Sequence, residues 1–254
     1  MTLPPSLPIP IPPSIRSLKP NYVLFVALYI ILKSSISPAQ TLEGTTGLFF
    51  IPTAEMQADK QITIGASYID KSLLSFSKYE RNAVTPFFSF NFLPYVEISG
   101  KITRMINPNS SYQGIGDRTV SLRIRLTSEA KYLPAVVVGL HDLAGVYGGS
   151  EAVRNNALYF VVSKHVSAND ISNLIAGFHA GFGSDLIRAQ HHNFVGLFGG
   201  INFMLYQTFE IMGEYDGAHT NWGVRVKLFN HISLLGGLLR LKHFSGGISY
   251  YFTL

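Results

Sequence analysis

The sequence predicts an all-β fold, an antiparallel up-and-down transmembrane β-barrel of about 12 strands preceded by a cleaved signal peptide. Polar and apolar residues alternate with a period of two in one segment after another, which is typical of strands with two different faces. Charged residues make up 14% of the 254 residues and hydrophobic residues 47%, whereas soluble domains carry about 25% charged residues. Long and short connections also alternate along the chain, as in outer-membrane barrels.

Residues 1–39 are predicted to be a secretory signal peptide. A basic, proline-rich lead is followed by eleven apolar residues, Tyr22 to Leu32, and the small residues up to Ala39 resemble a cleavage site. This apolar run is too short for a membrane-spanning helix, which needs about 20 residues. A short anchor helix is the alternative interpretation.

Residues 40–60 are predicted to form an N-terminal periplasmic segment or plug. The stretch "GLFFIPTAEMQAD" (47–59) contains Pro52, which is followed by a short run that is competent to form a helix. This segment either caps the periplasmic mouth, lies inside the barrel or is a plain lead-in to the first strand, since chain termini are often only lead-ins.

Residues 61–254 are predicted to be the barrel. The alternating segments lie at 61–69, 85–92, 96–106, 118–126, 135–142, 157–165, 174–182, 194–204, 208–215, 221–228, 232–239 and 244–253. The chain ends on an alternating strand, "FSGGISYYFTL", which a barrel requires because its last strand pairs with its first. Strands between Ala157 and Met204 are rich in glycine and alternate less cleanly. A soluble β-sandwich also has one apolar face per strand, so a secreted carbohydrate-binding sandwich is an alternative.

The polar faces of the predicted strands carry charged residues, which would line the barrel lumen. These candidate lumen residues are Glu97, Lys101, Arg123, Arg125, Glu210, Glu214, Arg225 and Lys227. Across the hairpin that turns at "DGAHT", Glu210 is expected to lie opposite Arg225 or Lys227, depending on the register. The set indicates either a structural network of paired charges or a lining that guides a charged glycan.

Aromatic residues near the predicted strand ends would form girdles at the two membrane interfaces. They include Phe87, Phe88, Phe90, Tyr95, Trp222, Tyr250, Tyr251 and Phe252. In a soluble protein the same residues would belong to the core.

Composition excludes several classes of function. The absence of cysteine excludes disulfides, thiolate metal sites and a thiol nucleophile. Three of the 20 basic residues and none of the 15 acidic ones lie in the first 39 residues, so the mature chain is nearly neutral and no nucleic-acid partner is expected.

No catalytic residue, metal or cofactor is predicted from the remaining polar motifs. His141 and Asp142 are adjacent on a strand and so point to opposite faces, which argues against a triad with Ser150. His191 and His192 have no further ligands nearby in the sequence, which favours a solvated loop over a metal site.

Three stretches together resemble the YjbH-like family: "GTTGLFFIPTAEMQADKQITIGASY" (44–68), "GIGDRTVSLRIRL" (114–126) and "YLPAVVVGLHDLAG" (132–145). This family comprises outer-membrane β-barrel proteins associated with exopolysaccharide production and secretion. The resemblance implies a location in the cell outer membrane and an accessory role in exopolysaccharide biosynthesis or export, as a scaffold or conduit without bond chemistry. It supplies no catalytic residues.

The expected partners are outer-membrane lipid, the barrel-insertion machinery, and exopolysaccharide or export proteins. The alternatives are a small general porin or, from another class, a membrane-embedded hydrolase or acyltransferase.

Overall fold

The structure, a computed structural model, describes residues 39–72, 82–106, 115–143, 156–167, 173–186 and 194–254. Residues 1–38 of the predicted signal peptide lie outside the described residues, as do Ser150, His191 and His192. Twelve strands are described: β1 (Gln61–Ile69), β2 (Ala83–Phe92), β3 (Val96–Met105), β4 (Ile115–Thr127), β5 (Ala135–His141), β6 (Ala157–Ser167), β7 (Leu174–Ser184), β8 (Gly196–Leu205), β9 (Phe209–Tyr215), β10 (Thr220–Leu228), β11 (Ile232–Leu239) and β12 (His243–Thr253).

The strands form one closed antiparallel barrel in which each strand pairs with its neighbours in the sequence. The last strand closes on the first, with Gln61 opposite Thr253 and Tyr68 opposite Gly246. The backbone of Leu254 still donates a hydrogen bond to Lys60. The predicted twelve-stranded up-and-down barrel is therefore confirmed, and β12 is the strand that closes it on β1.

The two ends of the barrel differ. At one end β1 begins and β12 finishes, and we call this end the terminal mouth. Its turns include two tight ones, 206–207 and 229–230, in which both residues have positive φ angles between 51° and 61°, as type I′ hairpin turns require. At the other end, the loop mouth, β1–β2, β3–β4, β5–β6 and β7–β8 are joined by the longer connections.

Outward-facing side chains are largely apolar and exposed. Examples are Ile64, Phe88, Ile124, Phe160 and Ile248, with exposed fractions from 41% to 52%. Within the described residues, no helix is long and apolar enough to cross a membrane.

The expectation that Phe87 and Tyr251 join an outer aromatic girdle is wrong. Both side chains point inward and are buried. Their neighbours Phe88 and Tyr250 face outward instead, because successive residues of a strand alternate between the two faces. The ring of Phe87 lies against Gly44 and Gly65, at positions where any side chain would clash with it.

The interior of the barrel holds residues 39–57, which we call the plug. All of them are buried except Glu55, which is half-buried. The plug folds on itself through isolated bridges between Gln40 and Thr46 and between Gly47 and Pro52. Its turn hydrogen bonds, such as that from Leu48 to the carbonyl of Ile51, also lie within the plug.

Inward-facing glycines make room for the large side chains of the plug. A Cβ atom added to Gly223 would lie 2.8 Å from the ring of Phe49, and one added to Gly237 would lie 3.0 Å from the same ring. At Gly200 the clash would be with Leu48, at 2.6 Å. At Gly223 the three nearest atoms all belong to Phe49, so this position excludes a larger residue while the ring is in place. At Gly237 and Gly200 an added Cβ atom would also meet backbone carbonyls of the wall, at 2.2 and 2.8 Å.

Candidate functional site

The structure places seven of the eight candidate lumen residues in the buried interior. Glu97, Lys101, Arg123, Glu210, Glu214, Arg225 and Lys227 are each 7% exposed or less. Arg125 is half-buried near the terminal mouth and donates to the carbonyl of Pro94 in the β2–β3 turn. Most of the buried charges contact the plug, so the interior is best described as a binding site for the protein's own N-terminal segment.

Glu97 and Arg123 form a fully buried ion pair on β3 and β4. Arg123 Nη1 lies 3.0 Å from Glu97 Oε2, and the register places the two residues opposite each other. Glu97 also accepts hydrogen bonds from the backbone and hydroxyl of Thr46, at 2.9 and 2.6 Å. Arg123 donates to the carbonyls of Thr53 and Glu55. The pair thereby holds two separate parts of the plug backbone.

Glu214 on β9 binds the opposite side of the plug. Its carboxylate accepts hydrogen bonds from three successive backbone amides, those of Phe49, Phe50 and Ile51, at 2.9 to 3.2 Å. Asn221 donates a further hydrogen bond at 3.1 Å. Successive amides that converge on one acceptor form an anion-binding concavity, which here belongs to the plug and is filled by a wall carboxylate.

Arg225 on β10 pairs with Glu210 and binds plug carbonyls. Its Nη1 atom lies 2.6 Å from Glu210 Oε2, and the two residues are opposite each other in the register. Its Nη2 atom donates to the carbonyls of Gln40, Gly47 and Leu48 at 3.1, 2.9 and 2.7 Å. Of the two partners considered for Glu210, the structure therefore selects Arg225.

The plug carboxylate of Glu43 contacts Lys101 and approaches His141. Lys101 donates directly to Glu43, and His141 Nε2 lies 3.4 Å from Glu43 Oε2. Burial by itself would raise the pKa of Glu43, but the Lys101 ammonium and the His141 imidazole outweigh it and lower the pKa to about 2. Glu43 is therefore an anion over the physiological pH range.

Two serine–histidine contacts in the interior were not predicted from the sequence. Ser121 Oγ lies 3.0 Å from His141 Nδ1, and Ser163 Oγ lies 2.7 Å from His179 Nδ1. All four residues are 5% exposed or less. Ser163 also accepts a hydrogen bond from the Ala54 amide at 2.8 Å. The partners come from different strands and the plug, so no spacing in the sequence could have indicated these contacts.

Asp142 was expected to lie on a strand beside His141, but β5 ends at His141 and Asp142 adopts a left-handed conformation with φ of 56°. Its backbone amide approaches Ser121 Oγ at 3.5 Å, and its side chain is buried. Among the described residues, no group of three or more histidine, aspartate or glutamate side chains is arranged to hold a metal ion.

At the terminal mouth, His165 joins the plug to the barrel. Its Nε2 lies 2.7 Å from Glu55 and its Nδ1 lies 2.7 Å from Glu129 in the β4–β5 turn. The pKa values of both carboxylates are below the ordinary range because hydrogen bonds from His165 outweigh the effect of burial. A cavity of about 330 Å³ opens beside this cluster, and Arg125, Lys227 and Met204 also line it.

The rest of the plug packs against an apolar part of the wall. Phe50 lies 5.3 Å from Phe194, and Phe194 contacts Tyr159 and Phe198 with ring centroids 6.1 and 6.0 Å apart. Val137 and Val161 belong to the same buried cluster, along with Phe49 and Ile51 of the plug. The inward faces of β5 and β6 are apolar at Val137, Tyr159 and Val161 and polar at His141, Ser163 and His165, so the lumen face of these two strands is only partly polar.

The fold and interior define a class: a closed twelve-stranded barrel whose lumen is filled by its own N-terminal segment. The chain belongs to the YjbH family, because the family model described as "Exopolysaccharide biosynthesis protein YbjH" matches residues 40–222. The match begins in the plug and extends into β10, which confirms the resemblance noted from the sequence motifs. A search of curated proteins returns no match.

Proposed function

We propose that this protein is an outer-membrane barrel that supports exopolysaccharide assembly or export as a closed scaffold, without bond chemistry. The observation that carries the proposal is the plug, which fills the lumen and is held there by Glu97, Glu214 and Arg225. Membership of a family named for exopolysaccharide biosynthesis supplies the biological context. Export from the cell requires proteins in the outer membrane, and a barrel is one of the two folds that can span a bilayer.

The membrane location is supported by the apolar outer wall, which a soluble barrel would have no reason to expose. A membrane location predicts that a charge on the outer face, at the middle of a strand, reduces the stability of the folded barrel. Val224 faces outward on β10, so Val224→Arg is expected to destabilise the protein in vesicles by about 2–4 kcal/mol. Val224→Leu, which stays apolar, is the matched control.

Folding into vesicles is measured by urea titration and by a gel shift between unboiled and boiled samples. Equal stability of the arginine and leucine variants, or a wild-type protein that remains monodisperse in buffer without detergent, would contradict the membrane location.

The role in exopolysaccharide export is tested by deleting the gene in its host, complementing it and measuring secreted polysaccharide. Complementation by the wild-type gene is expected to restore secretion. Unchanged secretion in the deletion strain, with the export system otherwise active, would contradict the role.

A gated conduit is the second candidate function, and one observation favours it. The turn hydrogen bonds of the plug are internal, and the wall contacts it through side chains such as Arg123, Glu214 and Arg225. The plug could therefore leave without breaking any pairing between strands. Its displacement would expose several large apolar side chains at about 1.5–3 kcal/mol each, so opening would need a partner or a polymer to drive it.

An engineered disulfide between the plug and the wall would distinguish the scaffold function from the conduit function. The Ala54 amide donates to Ser163 Oγ at 2.8 Å, which places the two Cα atoms within about 7 Å, near the range of disulfides. The chain has no other cysteine. If the protein is a scaffold, the Ala54→Cys/Ser163→Cys variant secretes polysaccharide normally in its oxidised form. Loss of secretion on oxidation, with both single-cysteine controls active, would instead support a conduit that must open.

A general porin would conduct ions steadily in planar bilayers, and we expect the wild-type protein not to do so. A hydrolase or acyltransferase would lose turnover on substitution of one serine or histidine. Ser121→Ala and His141→Gln are therefore expected to leave polysaccharide secretion unchanged when the protein folds, as judged by the gel shift.

A further inference from the structure

The outer wall of the barrel carries two arginines that have no counter-ion among the residues that the structure describes. Among the strand residues whose side chains the structure describes, three outward-facing ones are charged: Arg104 on β3, Arg118 on β4 and Lys164 on β6. Lys164 has partners, because its ammonium lies 3.2 Å from Glu129 and donates to the carbonyl of Ala130. Within the described part of the chain, Arg104 and Arg118 contact neither an acidic group nor a hydrogen-bond acceptor.

The two arginines are close neighbours on one face. Arg118 lies opposite Ile102, and Arg104 lies opposite Ile115 after a register shift between Ile102 and Arg104. Diagonal neighbours across an antiparallel pair are about 7–8 Å apart, within reach of long side chains. Both arginines are exposed, so two guanidinium groups can converge on one anion.

Their height on the barrel is informative. Both lie at the strand ends near the loop mouth, and an apolar band continues below them on the same two strands. Ile98 and Ile102 on β3 and Val120 and Ile124 on β4 are 40–47% exposed. The band therefore ends in two cations on neighbouring strands. This surface is complementary to a lipid that has an anionic headgroup above apolar chains.

We propose that Arg104 and Arg118 bind the phosphate of a lipid headgroup at the rim of the apolar band. Arginine suits this role because its planar fork matches phosphate oxygens in a two-point contact. The acyl chains of the same lipid would cover the isoleucine and valine rows below. The inference rests on the proposed membrane location and adds a specific lipid site to it.

The test uses the full-length protein in vesicles of phosphatidylcholine, with and without a minor fraction of phosphatidic acid. Lipid bound to the protein is measured by native mass spectrometry after transfer to detergent. The wild-type protein is expected to retain phosphatidic acid in preference to phosphatidylcholine. Each arginine-to-glutamine substitution is expected to reduce this preference about fivefold and Arg104→Gln/Arg118→Gln about 25-fold, since a basic residue near a charged membrane surface contributes about that much each.

Two variants serve as controls. Lys164→Gln removes the third outward cation, which already has a counter-ion, and is expected to leave the preference unchanged. Arg104→Lys/Arg118→Lys keeps both charges but loses the fork geometry, so it should retain only part of the preference. Full preference in the double glutamine variant would overturn the proposal. Competition by millimolar inorganic phosphate in solution would also overturn it, because the site would then be one for a free anion.

The membrane location and the lipid site fail in different ways. A wild-type protein that does not insert into neutral vesicles, judged by the gel shift, would overturn the membrane location and this proposal with it. Insertion without any preference for phosphatidic acid would overturn this proposal alone.

Discussion

Strands β3 and β4 and strands β5 and β6 line adjacent stretches of the interior, yet they contact the plug through different chemistry. The first pair presents Glu97 and Arg123, which bind the plug backbone by charged hydrogen bonds. The second pair presents mainly apolar side chains, Val137, Tyr159 and Val161, which belong to the apolar cluster around the plug's phenylalanines. Its polar contacts with the plug are confined to Ser163 and His165 on β6, which bind Ala54 and Glu55. The inward-facing charges of β3 and β4, which we call the charged wall, therefore fix the position of the plug backbone through directional hydrogen bonds, whereas the apolar wall of β5 and β6 contributes packing.

The largest expected effect comes from removing one partner of the buried ion pair between Glu97 and Arg123. Arg123→Ala leaves Glu97 buried and without its cation, which should cost about 3–5 kcal/mol in the free energy of unfolding. Replacing both residues together, as Arg123→Met/Glu97→Gln, should cost less because no isolated charge remains. Urea titrations of protein folded in vesicles measure both.

Arg125→Ala, on the same strand but half-buried, is the control for that experiment and should change stability by about 0.5 kcal/mol or less. A loss at Arg123 no larger than that at Arg125 would mean that the charged wall does not hold the plug.

Acid should weaken the contact between Glu43 of the plug and Lys101 of the charged wall, and it should leave the packing against the apolar wall unchanged. The pKa of Glu43 is lowered from 4.5 to about 2, so its stabilising effect is complete above pH 4.5 and is lost as the pH falls towards 2. The loss should be of the order of 2–3 kcal/mol. Urea midpoints measured between pH 7 and pH 2.5 should fall in the wild-type protein and fall less in Glu43→Gln. Parallel curves for the two proteins would show that Glu43 is not the group responsible.

Overfilling the interior tests how closely the plug packs. Gly223→Ala places a methyl group against the ring of Phe49 and should cost about 1–3 kcal/mol. Gly213→Ala on β9 is the matched control, because a Cβ atom there has no other atom within 4 Å. Both are glycine-to-alanine changes in strands, so a difference in urea midpoint reports the plug contact. Equal midpoints would indicate that Phe49 moves away at little cost.

The smallest effect is the coupling between Glu210 and Arg225. Their contact at 2.6 Å predicts that Glu210→Gln and Arg225→Gln are not additive, with a coupling energy of about 1 kcal/mol or more in a double-mutant cycle. The same cycle between Glu210 and Lys227 should give a smaller value. Additive losses for the first pair would contradict direct pairing.

The strands were predictable to within about three residues at each end, because alternation has a period of two wherever the two faces differ. The glycine-rich stretch from Ala157 to Met204 alternated weakly for a reason that the structure supplies. Tyr159, Val161 and Phe198 face inward but are apolar, since they pack against the plug instead of water. Residues of one character on both faces leave no period to detect.

The candidate site was predictable in part. The residues of the charged wall could be named because charges on a strand are conspicuous, and Glu210 could be matched to β10 because a tight hairpin restricts its register. The plug contacts could not be predicted. Glu214 is 163 residues or more away in the sequence from the amides whose hydrogen bonds it accepts. No local pattern in either segment indicates that the two come into contact.

The sequence by itself determined that the chain forms strands and which faces of most of them are apolar, because these properties follow from local alternation. Only the tertiary structure decided that the N-terminal segment occupies the lumen and that charged and apolar walls share it. The physical reason is that a buried charge can be stable only with partners, and these partners come together only when the barrel closes around the plug.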